Sequence, residues 1–426
     1  TKVAYDCFNI LYPDVNIESH YIYSSRRSVS IPLFKSKKDL LVEVYKTIYS
    51  TTISAWLENR FGITKDQYSV ETLQKYSLKD YDHPIGGKFS KEKLSQLVCE
   101  LSDIILKNAR QERMNLIDYL SSHGMDTNEN IAVVDIGYAA SMQSAYQKIL
   151  NKENIHGIYY ATFNSALKNI SDSSLLHGYS VHLENPSSPK YGICSHRFFY
   201  ETIFCDADNS FIKPIKTNNG FEIVKSRFDD STRQTVVKEI HSGVLALAHD
   251  LAENYSSSVL NGYIDPSLGS FLFDSFLKTP NKNDAEMFKG VLFEDAMGPS
   301  IKRYLFVPDE LKNDKKVIDN MIWKEAASLL LSYSSVSTHS TKSNNITINS
   351  DDNKKTNNTL RANKNLNGNG NGNGKINLIS IERTIFNFLL NGRKLNKYIK
   401  DRDLFFKDSR NRFISLYYNK IGKNYK

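Results

Sequence analysis

Apolar residues recur along the first three quarters of the chain at two spacings. The period near 3.6 predicts helices and short dense runs predict strands. Between 38 and 60, Leu41, Val44, Ile48, Ile53, Trp56 and Leu57 share one helical face, which predicts a helix over that span. A longer amphipathic pattern covers 90–122, with Ser90 placed to cap its start and Gly124 just beyond its end. Residues 3–12 read as a helix halted by Pro13, and 141–150 and 234–255 as further helices. "HYIYSS" (20–25), "NIAVVDIG" (130–137) and "IHGIYYATF" (155–163) are rich in β-formers and predict strands. "YDHPIGGKF" (81–89) reads as a loop. A strand, a helix and a second strand in succession favour a parallel sheet with right-handed crossovers. The expected fold is therefore α/β, a Rossmann-like parallel sheet flanked by helices, with the Gly- and Pro-containing stretch 262–308 as a helical cap over the sheet.

The pattern changes near residue 332. Residues 1–332 can build a core, whereas 333–375 are Ser, Thr, Asn, Lys and Gly ending in "NGNGNGNG", which predicts a disordered low-complexity linker. Apolar positions return in 376–426 as Ile381, Ile385, Phe386, Leu389 and Leu390, followed by Arg393, Lys394, Lys397 and Lys400, then Phe405 and Phe406. A basic amphipathic segment with aromatic anchors suits an anionic membrane interface, the alternative being a helix that packs on the body or on a partner. Charge supports the division. From Lys375 onward there are 13 Lys and Arg against 4 Asp and Glu, so the tail carries the whole of the +8 net charge. A near-neutral body argues against nucleic-acid binding.

No apolar run is long enough to span a bilayer, and no signal-peptide pattern opens the chain. The first residue is Thr1, so a processed or excised piece of a longer protein is one expectation. Cys7, Cys99, Cys194 and Cys205 follow neither zinc nor disulfide spacing and read as reduced, mostly buried thiols. His83, His123, His196 and His241 lack metal-ligand spacing.

The most informative segment for chemistry is "VVDIGYAASMQ" (133–143). An apolar strand delivers Asp135 to its carboxyl end, where α/β folds bind ligands. Gly137 permits a tight turn, Ala140 keeps the loop slim, and a helix beginning near Ser141 offers free N–H groups and a hydroxyl to a phosphate, with Gln143 one turn in. Asp135 could hold sugar hydroxyls or a Mg²⁺-bound ligand. A plain strand-to-helix turn in which Asp135 only caps is at least as frequent an outcome. In "YIYSSRRSVSIP" (21–32), Arg26 and Arg27 could grip a phosphate. Adjacent residues point apart, so one entering a site is expected, and a structural ion pair is the commoner role. In "SHRFFYET" (195–202), Arg197 and Glu201 stand at i, i+4 on a helix, free to pair with each other or to face a cleft.

The order of "YIYSSRRSVSIP", "VVDIGYAASMQ", "GIYYATF" and "RFFYETIF" resembles the module that follows a HAD-type phosphatase domain in large capsule and O-antigen assembly proteins, over about residues 1–310. The segment "RKLNKYIKDRDLFFKDS" (393–409) resembles the basic C-terminal segment of capsule and lipooligosaccharide glycosyltransferases, departing at Arg402, where those tails carry Pro. Such assemblies are similar to phosphoribosyltransferase-like glycosyltransferases. The resemblance implies transfer of ribofuranose 5-phosphate from phosphoribosyl pyrophosphate, a phosphatase partner, and a cytoplasmic place at the inner membrane. The family loop carries two acids; here Ile136 follows Asp135. The family's opening strand with its Arg-Asp-Gly turn is absent, so an N-terminal strand is expected to be missing.

Three functional expectations follow. The first is a glycosyltransferase module acting on a phosphate-activated sugar donor and a glycan acceptor, with Asp135 and Glu201 catalytic and Arg26, Arg27, Gly137, Ala140, Ser141, Gln143 and Arg197 binding substrate. The second is a HAD-type phosphatase, which needs a DxD placed after a strand; none is found there in the first half, and "DAD" (206–208) follows a helix-like segment. The third is a non-catalytic module that docks a phosphatase or glycosyltransferase partner at anionic inner-membrane lipid.

Overall fold

The protein is described from a computed structural model. It covers residues 2–329 apart from positions 16, 49, 88 and 189 and the segments 227–229, 256–265 and 294–302, with backbone alone at 266–269 and 271–272. The expected linker and tail lie outside these residues. The chain divides into two compact units, 1–270 with 277–328, and 271–276 with 329–426, and the first holds nearly everything described.

An N-terminal helical layer comes first: α1 (Lys2–Leu11), the one-turn α2 (Arg26–Ser30), α3 (Lys37–Val44), a two-residue strand β1 (Thr51–Thr52), α4 (Ile53–Phe61), α5 (Val70–Gln74), β2 (Pro84–Ile85), α6 (Lys91–Glu100) and α7 (Ser102–Ser121). Leu40, Val44, Ile53, Trp56, Leu57, Phe61, Leu94, Leu97 and Ile105 form its closed core. Each such side chain contributes about 1.5–3 kcal/mol by leaving water.

The helix expected over 38–60 is instead α3 and α4 with a loop between. The carbonyls freed there are satisfied from elsewhere in the chain: the Arg60 guanidinium donates to Thr47 O at 2.8 Å and the Lys91 ammonium to Tyr45 O at 2.6 Å. The long helix over 90–122 is likewise two, broken at Leu101 (φ −84°, ψ 2°), where the Ser102 hydroxyl takes up Cys99 O. Ser90 caps α6 as expected, accepting from Lys93 N–H.

The second part carries β3 (Ile131–Asp135), α8 (Ser141–Leu150), β4 (Ile155–Phe163), β5 (Leu176–Glu184), α9 (Gly192–Phe204), the hairpin β6 (Phe211–Thr217) and β7 (Gly220–Lys225), and α10 (Ser231–Asn254). After these come α11 (Pro266–Lys278), α12 (Lys282–Glu286) and α13 (Lys315–Asp319). The fold is mixed α/β. Strands β3, β4 and β5 form a three-stranded parallel sheet in that order, with Val134 opposite Ile158 and Ile158 opposite His177.

Helices flank one side of the sheet. Leu116, Tyr119 and Leu120 of α7 and Ala145, Tyr146 and Ile149 of α8 pack with Ile155. On the other side the Tyr160 ring lies against Tyr200 and Phe204 of α9, and the Ser270 hydroxyl of α11 meets Tyr160 and Ser180. "HYIYSS" is extended but pairs with no strand. Side chains hold it instead, with Tyr23 N–H donating to the Tyr119 hydroxyl and the Tyr146 phenol donating to Ser24 Oγ. Among the described residues, no helix is long and apolar enough to cross a membrane.

Candidate functional site

The end of β3 sets the site. The chain turns from Asp135 into α8 through five residues whose path is pinned from outside. Phe163 N–H donates to Tyr138 O (2.9 Å), and the Asn169 amide donates to Ala139 O (2.8 Å). Ala140 takes a left-handed conformation (φ 55°) and is buried. Gly137 N–H donates to Asp135 Oδ1 at 3.0 Å. A β-carbon at Gly137 would press on that carboxylate, so glycine is what lets the turn close over it.

Asp135 is half-buried with protein packed closely around it, and it marks the candidate recess at the end of β3. The phenols of Tyr146 and Tyr159 stand near enough to feel its charge. Burial pushes its carboxyl above the ordinary aspartate range, opposed by the Gly137 and Ile136 N–H groups and by Arg26.

Helix α9 supplies the opposite wall. The Tyr138 hydroxyl donates a hydrogen bond to Glu201 Oε1. Burial, then the Glu201 charge, push the Tyr138 hydroxyl far above its usual range, while Arg197 and Arg26 pull the other way. Arg197 leans on the Phe198 ring and donates to Cys194 O. Arg26, the first residue of α2, is exposed and acts electrostatically on both Asp135 and Tyr138.

Cys205 closes this wall. It is exposed rather than buried, and of the four thiols only Cys194 is fully enclosed. Its thiol is pushed up to about 11 by the surrounding protein, with Glu201 and Asp135 adding and Arg233 opposing, so it stays protonated at neutral pH.

The structure therefore gathers Asp135, Gly137, Arg26, Arg197 and Glu201. It adds Tyr138 and Cys205, which the sequence reading did not select; Tyr138 stands in the same strand-to-helix turn, a position that could have flagged it. Ser141 opens α8 and is exposed. Two expected ligands are spent elsewhere. Arg27 is buried in a bidentate pair with Glu112 (2.8 and 3.1 Å) and donates to Ile212 O, with Lys213 also on Glu112. Gln143 is fully buried, donating to Ile155 O (2.7 Å) and Leu175 O (3.1 Å) and accepting from the Tyr159 phenol (2.7 Å). Arg27 thus joins α2 to α7, and Gln143 joins α8 to the sheet; neither side chain is placed to meet a phosphate.

Helix α9 is itself held from downstream. It kinks at His196, which is buried and bonded to Glu325 Oε2 at 2.9 Å. Burial resists ionisation of Glu325, but the His196 bond and charge, its own backbone N–H and Lys278 together outweigh burial and hold the carboxyl low. The Trp323 ring packs edge-on against both Phe199 and Phe288, which also touch each other, and its N–H donates to Leu277 O.

Asp206 and Asp208 follow α9, and Asp208 is paired with Lys225 at 2.6 Å. Among the described residues no three His, Cys, Asp or Glu side chains converge as a metal-binding group. Mg²⁺ asks for several converging oxygens. Here Asp135 Oδ1 accepts from Gly137 N–H and Glu201 Oε1 accepts from the Tyr138 hydroxyl. No protein-family model and no curated protein matches the chain.

Proposed function

We propose that the chain is a glycosyltransferase module of bacterial surface-polysaccharide synthesis, transferring a glycosyl or phosphoribosyl group from a phosphate-activated donor to a glycan acceptor. The observation that carries this reading is the meeting of Asp135, the Tyr138–Glu201 pair, Arg26 and Arg197 at the carboxyl end of β3. Two cations beside two carboxylates suit a substrate that is both anionic and rich in hydroxyls.

In this reading Arg26 and Arg197 take the charge that grows on the departing phosphate, which is the largest catalytic contribution. Asp135 orients the sugar hydroxyls. Glu201, held by Tyr138, receives the acceptor's proton as the new C–O bond forms and the C–O bond to phosphate breaks. The β3–α8–β4 unit is read as half of a Rossmann-like sheet with α11 and α12 as its cap. A basic C-terminal tail at anionic inner-membrane lipid and a neighbouring HAD-type phosphatase complete the proposal.

The test is titration calorimetry of the full chain with phosphoribosyl pyrophosphate, UDP-sugars and inorganic pyrophosphate, followed by transfer assays on whichever donor binds. Binding should weaken at least tenfold in Arg26→Met and Arg197→Met, and Asp135→Asn should abolish transfer with the fold intact. Absence of heat with every phosphorylated probe would remove the transferase reading and leave the docking module. Release of phosphate from sugar phosphates without transfer would favour the phosphatase.

A further inference from the structure

The parallel sheet carries a second cluster, away from the recess. Ile155, Tyr159 and Leu176 point into the core, so the alternate positions of β4 and β5 point the other way. On that outer side His156 and His177 lie diagonally across the strand pair, two residues out of the Ile158–His177 register. Their rings are within 18° of parallel, and Nδ1 of His156 is 3.1 Å from Nε2 of His177. Val134 and Ile158 flank them at 62% and 41% exposure, so the pair stands on an accessible face.

The separation of the two nitrogens decides what the pair can hold. Two imidazole nitrogens on one Zn²⁺, each about 2.05 Å from it, stand roughly 3.3 Å apart at a tetrahedral angle and about 2.9 Å apart at a right angle. The observed 3.1 Å lies between these values. In the absence of an ion, one N–H···N bond fixes the same distance. With the ring centroids 5.4 Å apart the two nitrogens face each other nearly head-on, so each ring must swing by roughly 40° for both lone pairs to meet at one ion, and the exposed face leaves room for that rotation and for water in the remaining positions.

A carboxylate stands nearby. Asp172, hydrogen-bonded by the Ser174 hydroxyl at 2.7 Å, lies within electrostatic reach of His156. Imidazole pairs select borderline divalent ions over Mg²⁺ or Ca²⁺.

We propose that His156 and His177 chelate a divalent first-row transition ion, such as Zn²⁺ or Ni²⁺, on the outer face of the sheet. The two residues are 21 positions apart on separate strands, a spacing that matches no sequence motif. The site shares no residue with the Asp135 recess and does not depend on the transferase reading.

The experiment is calorimetric titration of Zn²⁺ and Ni²⁺ into untagged full chain that has been stripped with chelator, with Mg²⁺ as control. Micromolar uptake is expected in the wild type, weakened at least tenfold in His156→Ala and in His177→Ala and unchanged in His249→Ala. Thermal melts of each variant establish that it is folded, and saturating Zn²⁺ should raise the melting midpoint of the wild type but not of the double variant. No uptake by the wild type, or a double variant that titrates like it, would overturn the proposal.

Discussion

Gln143 offers the sharpest contrast between what a motif suggests and what the packing requires. In Gln143→Leu the volume is nearly kept but three hydrogen bonds go: two to the carbonyls of Ile155 and Leu175 and one from the Tyr159 phenol. Gln143 and Tyr159 are 0% and 1% exposed, so water cannot substitute. A buried phenol left without an acceptor costs about 1–3 kcal/mol, and each carbonyl that loses its donor adds roughly 0.5–1 kcal/mol. The loss should total about 2–5 kcal/mol. With a urea m-value near the upper end for single domains, about 3 kcal/mol/M, the unfolding midpoint should fall by about 1 M at unchanged slope. Pyrophosphate binding measured well below that midpoint should match the wild type. An unmoved midpoint together with lost pyrophosphate binding would refute the reasoning, because Gln143 would then have to face the recess.

Three further outcomes follow from the same geometry. Arg27→Met should destabilise by about 3 kcal/mol, the low end for breaking a buried pair because Lys213 remains on Glu112; Arg26→Met should leave the urea midpoint in place. Asp135 has a folded pKa above its unfolded one, so the native state holds its proton more tightly. Stability from this group is therefore present in acid and lost as pH rises from about 4 through the raised value. The stability of Asp135→Asn relative to wild type, read by urea titration across pH 4–8, should accordingly grow with pH, and a difference that is flat or grows toward acid would contradict the burial of this carboxyl. Trp323→Ala should cost about 3–5 kcal/mol by leaving a cavity beside the Phe199 and Phe288 rings, and a shift in midpoint within error would show that the indole is not closely packed.

Much of the sheet was legible because its signals are local. The runs 141–150 and 155–163 become α8 and β4 with the expected ends, since strand and helix there are each one uninterrupted pattern. The breaks in 38–60 and 90–122 were not legible, because the groups that satisfy the freed carbonyls come from Arg60, Lys91 and Ser102, and apolar spacing continues across the gap. The β6–β7 hairpin carried a usable signal in Asn219 and Gly220, the latter at φ 121°.

At the recess, Asp135 and Gly137 were readable from strand polarity. Which of two adjacent arginines faces it was not, since that depends on Glu112, 85 residues away on α7. The tyrosines of "YIYSS" looked like strand formers, yet their neighbours are side chains rather than a ladder.

The latch on α9 has a consequence for the order of assembly. Glu325 meets His196 across 129 residues of chain, and Trp323 closes on Phe199 from a similar distance. During synthesis the helix bearing Glu201 and Arg197 emerges long before the residues that fix its bend. Until that late segment leaves the ribosome, the Phe199 and Phe288 rings lack their indole cover, and such uncovered apolar surface invites chaperones and self-association. A fragment cut just upstream of Trp323 would keep every residue of the recess and still lack the piece that sets its shape.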